Sequence, residues 1–288
     1  MQIDAALFAA LAAALSYACA DMAARAGLQQ TNAYVGSTIA LASSFLFLSI
    51  LILILQTPFP VFGNHYLWVV AGGACNPGMF FILFLTGISK IGVSRAAPIK
   101  GTSPLLGAIL AIPILGENPS WIHLVGVLLV VCGICVITSG GTVERFRRID
   151  ILWPIAAAIV SAFAAVFWRA GLTAFPDSIA GSAIGVLSAF VVVATYTVFA
   201  SREEIPKGIR TAWKPFLLCG LVAASGYFFY AKAFQLGEVF RILPLIQISP
   251  LITVLFSIIW IRKSENITWR VPTGALLSVG GAILVNLK

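Results

Sequence analysis

The chain is organised around two matching stretches, residues 95–104, which read RAAPIKGTSP, and residues 241–250, which read RILPLIQISP. Each stretch begins with arginine, has proline at its fourth position and ends with serine and proline. The match extends to the identical residues 25–28 and 169–172, the pairs Glu117-Asn118 and Glu265-Asn266, the tryptophans Trp121 and Trp269, and the glycine pairs Gly126/Gly133 and Gly274/Gly281. Self-similarity at a fixed spacing predicts two structurally equivalent halves.

The composition indicates an integral membrane protein. Apolar residues make up 60% of the chain, charged residues make up 10%, and the mean hydropathy is +1.02, whereas a soluble domain has about 25% charged residues. In a soluble protein, 18 basic against 10 acidic residues would suggest a nucleic-acid partner. Here most of the basic residues lie in short loops between apolar runs, where they report membrane topology. We therefore expect a lipid bilayer, and no nucleic acid, as partner.

Motifs that carry chemistry are few, so we expect no enzyme, no cofactor and no metal site. Cys132 and Cys135 have the spacing of a metal or redox pair, but no second ligand pair follows them. His65 and His123 lie at the ends of apolar runs, without a catalytic constellation around them. No GxxxxGK[ST] stretch occurs, which argues against ATP-driven transport by this chain alone.

Ten apolar runs approach the roughly 20 residues that cross a bilayer core. They are residues 5–24, 34–55, 66–89, 95–115, 122–138, 152–171, 179–200, 215–236, 241–261 and 270–287. They divide into a first repeat, 1–140, a basic connecting loop, 141–150, and a second repeat, 151–288. Because five spans are an odd number, the second copy enters from the opposite side of the membrane. The predicted fold is all-α, with ten transmembrane helices as two inverted five-helix repeats around a central cavity.

The distribution of basic residues favours one orientation in the membrane. With these spans, thirteen basic residues fall on the face reached after the first helix and four on the face of the chain termini. The positive-inside rule then places both termini outside.

The matched segments resemble the EamA-type family of the drug/metabolite transporter superfamily. The resembling stretches are residues 88–98, ISKIGVSRAAP, then Ser103-Pro104, residues 115–118, LGEN, and residues 126–133, GVLLVVCG. The second half keeps Ser249-Pro250 but has Lys263-Ser264-Glu265 in place of the Gly-Glu pair. The resemblance implies ten helices around a central cavity, export or exchange of small metabolites by alternating access, and cytoplasmic termini. This last implication opposes the charge count, so both orientations stand.

Lys100 is the most informative single residue, because a charge inside an apolar run is costly and needs a partner or a cavity. One role is contact with a carboxylate or phosphate of the substrate. The other is a side chain that snorkels to the nearby basic face, about 8 Å away at 1.5 Å per residue. Its repeat equivalent is Ile246, so the charge is not needed by both halves.

Prolines and arginines at equivalent positions predict gating elements. The prolines are Pro98, Pro104, Pro244 and Pro250, and Asn76-Pro77-Gly78 interrupts the third run in a similar way. Proline removes a helix hydrogen bond, and freed backbone at membrane depth is tolerated beside a cavity or protein. Inversion places Arg95 and Arg241 on opposite faces, where ion pairs could close alternate gates; Glu238 is near enough to pair with Arg241. Static kinks and interfacial anchoring remain the alternatives.

Asp21 is the acid well inside the first run, where it could exchange a proton for a cation. Four residues before Arg25, it is expected instead to form a structural ion pair with that arginine. Tyr227 and Tyr230 are three residues apart, on one helix face. They could stack on an apolar part of a substrate or pack against lipid and neighbouring helices.

These features predict a secondary membrane transporter for small organic metabolites, exporting amino acids or related zwitterions by alternating access. The expected lining residues are Asn76, Lys100, Ser103, Trp168, Tyr227, Tyr230 and Gln247. Alternatives are a nucleotide-sugar, sugar-phosphate or lipid-linked metabolite carrier, favoured if Lys100 and Arg169 converge, and a cationic drug or metabolite exporter. We expect a monomer or homodimer in a bacterial inner (plasma) membrane.

Overall fold

A computed structural model of the chain describes residues 2–59, 61–138, 147–175, 177–261 and 269–287. The helices of the first half are α1 (Gln2–Leu28), α2 (Ala33–Leu55), α3 (Asn64–Gly73), α4 (Phe80–Ile91), α5 (Val93–Lys100), α6 (Ser103–Leu115) and α7 (Trp121–Thr138). Those of the second half are α8 (Leu152–Leu172), α9 (Ser178–Ala200), α10 (Ile205–Leu236), α11 (Val239–Ile246), α12 (Ser249–Ile261) and α13 (Arg270–Val285). A π-helical segment, Ala74–Met79, joins α3 to α4.

The helices are long and apolar enough to form a membrane bundle. In the described residues, nine segments have the length and hydropathy of membrane spans, and Pro272–Val285 is a shorter apolar helix. Large apolar side chains such as Leu53, Phe199 and Leu276 are 77%, 85% and 77% exposed, which is the expected surface of a protein solvated by lipid. The all-α membrane fold predicted from the sequence is confirmed.

Successive spans run in opposite directions, which defines two faces of the bundle. The terminal face carries the start of α1, Glu117 and the start of α11. The loop face carries the end of α1, the start of α5 and the start of α10. Residues 139–146 and 262–268 lie outside the described residues, and with them Lys263, Ser264, Glu265 and Asn266 of the repeat pattern.

The glycines of the repeat mark the crossing of α7 and α13. A Cβ atom added to Gly126 would lie 2.8 Å from the Gly281 carbonyl oxygen, and one added to Gly133 would lie 2.6 Å from that of Gly274. Such close backbone contact requires glycine at the crossing. In the repeat, Gly126 is equivalent to Gly274 and Gly133 is equivalent to Gly281. Gly126 therefore contacts the equivalent of Gly133, and Gly133 contacts the equivalent of Gly126. This reciprocal pairing is what a two-fold axis between inverted repeats produces.

Other helix contacts obey the same symmetry. Gly27 of α1 lies against the Phe216 ring of α10, and its equivalent Gly171 of α8 lies against Val69 of α3. The equivalent helices α2 and α9 meet each other, where the Thr38 and Thr197 hydroxyl oxygens are 2.9 Å apart.

The fourth span of each half is broken at the same place. α5 and α11 each have eight residues, α6 and α12 each have thirteen, and a two-residue turn separates the members of each pair. Pro104 and Pro250 are therefore the second residues of new helices, where a backbone N–H has no partner within the helix. These prolines start helices rather than kink continuous ones. The third span is also interrupted, as expected, because Asn76 has the non-helical angles φ −142°, ψ 116°.

Candidate functional site

The two helix breaks meet at the centre of the bundle through a chain of polar side chains. Lys100, the last residue of α5, donates from Nζ to Oε1 of Gln247, the residue after α11, over 2.8 Å. Gln247 Nε2 donates to Ser103 Oγ over 2.7 Å. Three of the residues expected to line the cavity are thus brought together across the two repeats, with Gln247 and Ser103 buried.

The Lys100 side chain turns toward the protein. Its ammonium lies 5.5 Å from the Phe80 ring centroid and 6.0 Å from that of Phe84, a geometry that stabilises a cation over an aromatic face. Together with the hydrogen bond to Gln247, these contacts favour the cavity role of Lys100 over snorkelling to the loop face.

The exposure of residues along α1 indicates a crevice that enters the bundle from the loop face. Ala10, Ala14 and Ala18 are completely buried, and Asp21 lies two turns beyond Ala14 on the same helix face. Asp21 is nevertheless exposed. The interior of the bundle is therefore closed at the level of Ala14 and open at the level of Asp21, about 10 Å from the end of α1 at 1.5 Å per residue.

Asp21 faces Lys100 and Thr253. Its Oδ2 atom accepts a hydrogen bond of 3.5 Å from the Thr253 hydroxyl of α12. Two cations, Lys100 and Arg25, are also close enough to act on the carboxylate electrostatically. Asp21 is therefore influenced by Lys100 on another helix as well as by Arg25, the partner expected from the sequence. Lys100 is seven residues into α5, so it lies at the same depth from the loop face as Asp21.

Tyrosine rings continue the site toward the terminal face. The Tyr17 ring lies 5.6 Å from that of Tyr227 and 6.4 Å from that of Tyr230, in edge-to-face arrangements. Tyr227 and Tyr230 are buried, so they do not face lipid. The Tyr230 hydroxyl is buried and meets no hydrogen-bond partner among the described residues, which leaves it able to bind a polar group of a ligand.

Trp168 and Asn76 lie behind the tyrosine rings, away from Asp21. Trp168 is 1% exposed, packs edge-on against Tyr230 at 5.7 Å and donates from Nε1 to the Asn76 carbonyl oxygen over 3.1 Å. The Asn76 amide donates to Ser161 Oγ over 3.1 Å. In this conformation both side chains join the third and sixth spans and support the tyrosines, and neither faces the crevice directly.

Glu117 caps a helix at the terminal face. Its carboxylate, which is 8% exposed, accepts from the backbone N–H groups of Val239 over 2.7 Å and Phe240 over 3.3 Å. These are the first two residues of α11, whose N–H groups have no partner within the helix. Burial raises the pKa of the Glu117 carboxyl, against the effect of the two N–H donors. A residue of the first repeat thus caps the broken helix of the second.

The remaining basic residues of the repeat are engaged at helix ends. Arg169 donates from Nη1 to the carbonyl oxygens of Phe234 and Gln235 over 2.7 and 2.9 Å, which caps the end of α10. Arg241 Nε lies 3.2 Å from Glu238 Oε2, an ion pair that the sequence indicated. This pair borders a terminal-face cavity of about 250 Å³. Arg95 Nη1 lies 3.5 Å from the Ile91 carbonyl oxygen near the loop face.

His123 has a structural position. The Ser120 backbone N–H donates to its Nδ1 over 3.0 Å, so Nε2 carries the proton that is donated to the Leu287 carbonyl oxygen over 3.0 Å. The imidazole therefore joins the start of α7 to the end of the chain.

Four residues at these sites were not among the expected lining or gating residues: Tyr17, Asp21, Thr253 and Glu117. Asp21 was discounted because Arg25 lies one turn away in the sequence. Glu117 was recognised only as part of a repeated motif, although an acid after a span and before a helix start is a signal for capping. Tyr17 and Thr253 carry no signal that separates them from ordinary residues of membrane helices.

A helical membrane bundle of two inverted repeats, with broken helices and opposite charges at its centre, has the architecture of a secondary transporter. A family model, the EamA-like transporter family, matches residues 4–139 and again residues 148–287. The chain belongs to this family, and the double match confirms the duplication and the resemblance noted in the sequence.

Comparison with known structures supports the same fold. Among 29 matching chains, one crystal structure of a protein with 15% sequence identity superimposes with a TM-score of 0.80, over 98% of each chain. At this identity the likeness concerns the fold alone. No curated protein matches the chain.

Proposed function

We propose that this transporter carries small organic metabolites that bear a carboxylate, with amino acids or related zwitterions as its first substrates, and that it exports them by alternating access. The observation that carries the proposal is the Lys100 ammonium, held at the junction of both broken helices by Gln247. A cation that is oriented but not neutralised by an amide can exchange its hydrogen bond for a substrate carboxylate.

The exposure of the crevice supports alternating access. Asp21 is open from the loop face, while Glu117 holds α11 at the terminal face. A carrier needs a central site that opens to one side while the other is closed. Pro104 and Pro250 lie at the starts of α6 and α12, and Pro98 and Pro244 lie in the last turns of α5 and α11. Movement of these helix pieces would exchange the two states, with Arg95 and Arg241 near opposite faces.

The alternatives are less well supported. A nucleotide-sugar, sugar-phosphate or lipid-linked metabolite carrier would use Arg169 with Lys100, but Arg169 caps α10. A cationic drug or metabolite exporter would use an isolated carboxylate, but Asp21 faces a lysine. We place the protein in a bacterial inner (plasma) membrane, as a monomer or homodimer.

Counterflow in proteoliposomes tests the proposal. Purified protein is reconstituted in vesicles loaded with an unlabelled amino acid, and entry of the same labelled amino acid is followed for each of the protein amino acids in turn. We expect transient accumulation of a subset, absent from protein-free vesicles. Accumulation of none of them, while sugar phosphates or organic cations accumulate, would replace the proposed substrate class by one of the alternatives.

A further inference from the structure

The crevice holds two opposite charges on different helices, and this arrangement defines more than a carboxylate site. Asp21 belongs to α1, Lys100 to α5 and Thr253 to α12, so three helices from both repeats meet at one level. Asp21 is about 10 Å from the loop-face end of its helix, and Thr253 about 12 Å, at 1.5 Å per residue. Lys100 is held at this level by its hydrogen bond to Gln247, which in turn donates to Ser103.

Asp21 is open to a ligand. It is exposed although it lies on the interior face of α1, below the completely buried Ala14. Its hydrogen bond from Thr253, 3.5 Å long, leaves most of the acceptor capacity of the carboxylate unused, since two oxygens offer about four acceptor sites. Lys100 and Arg25 attract it through space.

We propose that Asp21, positioned by Thr253, binds the ammonium group of the substrate while Lys100 binds its carboxylate. The inference rests on the proposed function and narrows it, because it requires both charges on one solute. A zwitterion placed between the two side chains satisfies each of them, whereas a simple carboxylic acid would compete with Asp21 for Lys100 and bring a second negative charge close to Asp21. The tyrosines Tyr17, Tyr227 and Tyr230 lie deeper, where they would contact the side chain of the amino acid.

The experiment compares three solutes that differ in one group each. These are the amino acid that the wild-type protein carries fastest, its deaminated analogue, which keeps the carboxylate, and its decarboxylated analogue, which keeps the ammonium. Competition by each analogue against counterflow of the labelled amino acid gives an apparent affinity. We expect both analogues to compete about tenfold or more weakly than the amino acid, since each loses one charged hydrogen bond.

The variant Asp21→Asn separates binding from folding. It keeps the size of the side chain and removes its charge, and we expect the preference for the amino acid over the deaminated analogue to fall about tenfold, with competition by the deaminated acid unchanged or stronger. Thr253→Val should lower the same preference less. Glu203→Gln, which removes an exposed acid of the loop face outside the crevice, should leave it unchanged.

The results that overturn the inference differ from those that overturn the proposed function. If the wild-type protein takes the deaminated acid as well as the amino acid, carboxylate transport stands and the ammonium site is wrong. The ammonium site is also wrong if Asp21→Asn retains the preference and loses only its response to a pH gradient, because Asp21 would then carry protons. If the protein transports neither the amino acid nor its deaminated analogue, both the proposed function and the ammonium site are wrong. The wild-type comparison remains decisive even if the Asp21 variant does not fold.

Discussion

At the scale of single residues, Lys100 and Gln247 differ from their equivalents in the other repeat, and both have a proposed part in substrate recognition. Lys100 is equivalent to Ile246, and Gln247 to Gly101, yet Lys100 and Gln247 bind each other across the two halves. A two-fold arrangement would place identical groups at both breaks. Because the two helix breaks carry different residues, the junction between them has one ammonium group, on the side of the first repeat, and one amide, on the side of the second.

Replacement of Lys100 tests that charge. Lys100→Met keeps the length of the side chain, and we expect counterflow of the amino acid to fall about tenfold or more, the value of a charged hydrogen bond. Competition by the decarboxylated amine should not weaken, because that solute has no carboxylate. Lys90→Met, an exposed lysine at the end of α4, is the matched control. Equal losses in both variants would indicate a general effect of surface charge.

At the scale of helices, Glu117 is expected to stabilise α11 from another span. Glu117→Ala leaves two buried backbone N–H groups without an acceptor, so we expect a loss of about 1 kcal/mol of stability, seen as a lower melting temperature in detergent. Glu117→Gln keeps one acceptor oxygen and should lose less. If Glu117→Gln melts as low as Glu117→Ala, the carboxylate acts through its charge rather than as a hydrogen-bond acceptor.

The same carboxyl predicts a dependence on pH. Its pKa is raised by burial, so the folded protein holds this proton more tightly than the unfolded chain does. The resulting stabilisation is complete below the ordinary glutamate pKa of about 4.3 and is lost as pH rises through the folded value. Acidification from neutral pH should therefore raise the melting temperature of the wild type relative to Glu117→Gln. If the difference in melting temperature between the wild type and Glu117→Gln does not change between neutral pH and pH of about 4, the raised pKa of Glu117 is wrong.

Adjacent glycines of α13 test the inverted repeat. A Cβ atom on Gly281 would lie 2.5 Å from the Gly126 carbonyl oxygen, whereas one on Gly280 would meet nothing within 4 Å. Gly281→Ala should destabilise the bundle by about 1–3 kcal/mol through overpacking. Gly280→Ala should be neutral or stabilising, because alanine favours helix. Thermal unfolding of both variants measures the contrast, and equal effects would contradict the crossing of α7 on α13.

The sequence predicted the helices better than the site. Span lengths follow from hydropathy, and inversion follows from an odd number of spans, so both were readable without structure. The bond between Lys100 and Gln247 joins residues 147 positions apart and depends on how the breaks pack. The sequence paired Asp21 with Arg25, because helical spacing identifies ion-pair partners on the same helix. It gives no information about partners on other helices, such as Lys100. The sequence could have identified Glu117 as a helix cap, but it could not have identified α11, more than 100 residues away, as the helix that Glu117 caps.

At the scale of the whole molecule, we propose that one path passes through the centre and opens to alternate faces. Equivalent residues already differ in exposure: Asp21 is exposed, while its repeat equivalent Ala165, on α8, is 0% exposed. Each lies seven residues before the end of its helix, Asp21 near the loop face and Ala165 near the terminal face. If the inverted repeats exchange conformations, as proposed, Ala165 becomes exposed when Asp21 is closed.

The most direct test is the reactivity of a cysteine at position 165. The variant Ala165→Cys, with the five native cysteines replaced, is reconstituted in vesicles and treated with a water-soluble maleimide on the terminal-face side. We predict little labelling in the substrate-free state and a clear increase while the carried amino acid is exchanging. Labelling that stays absent during active exchange, or that is equal with and without the amino acid, would contradict a path that alternates between the two faces.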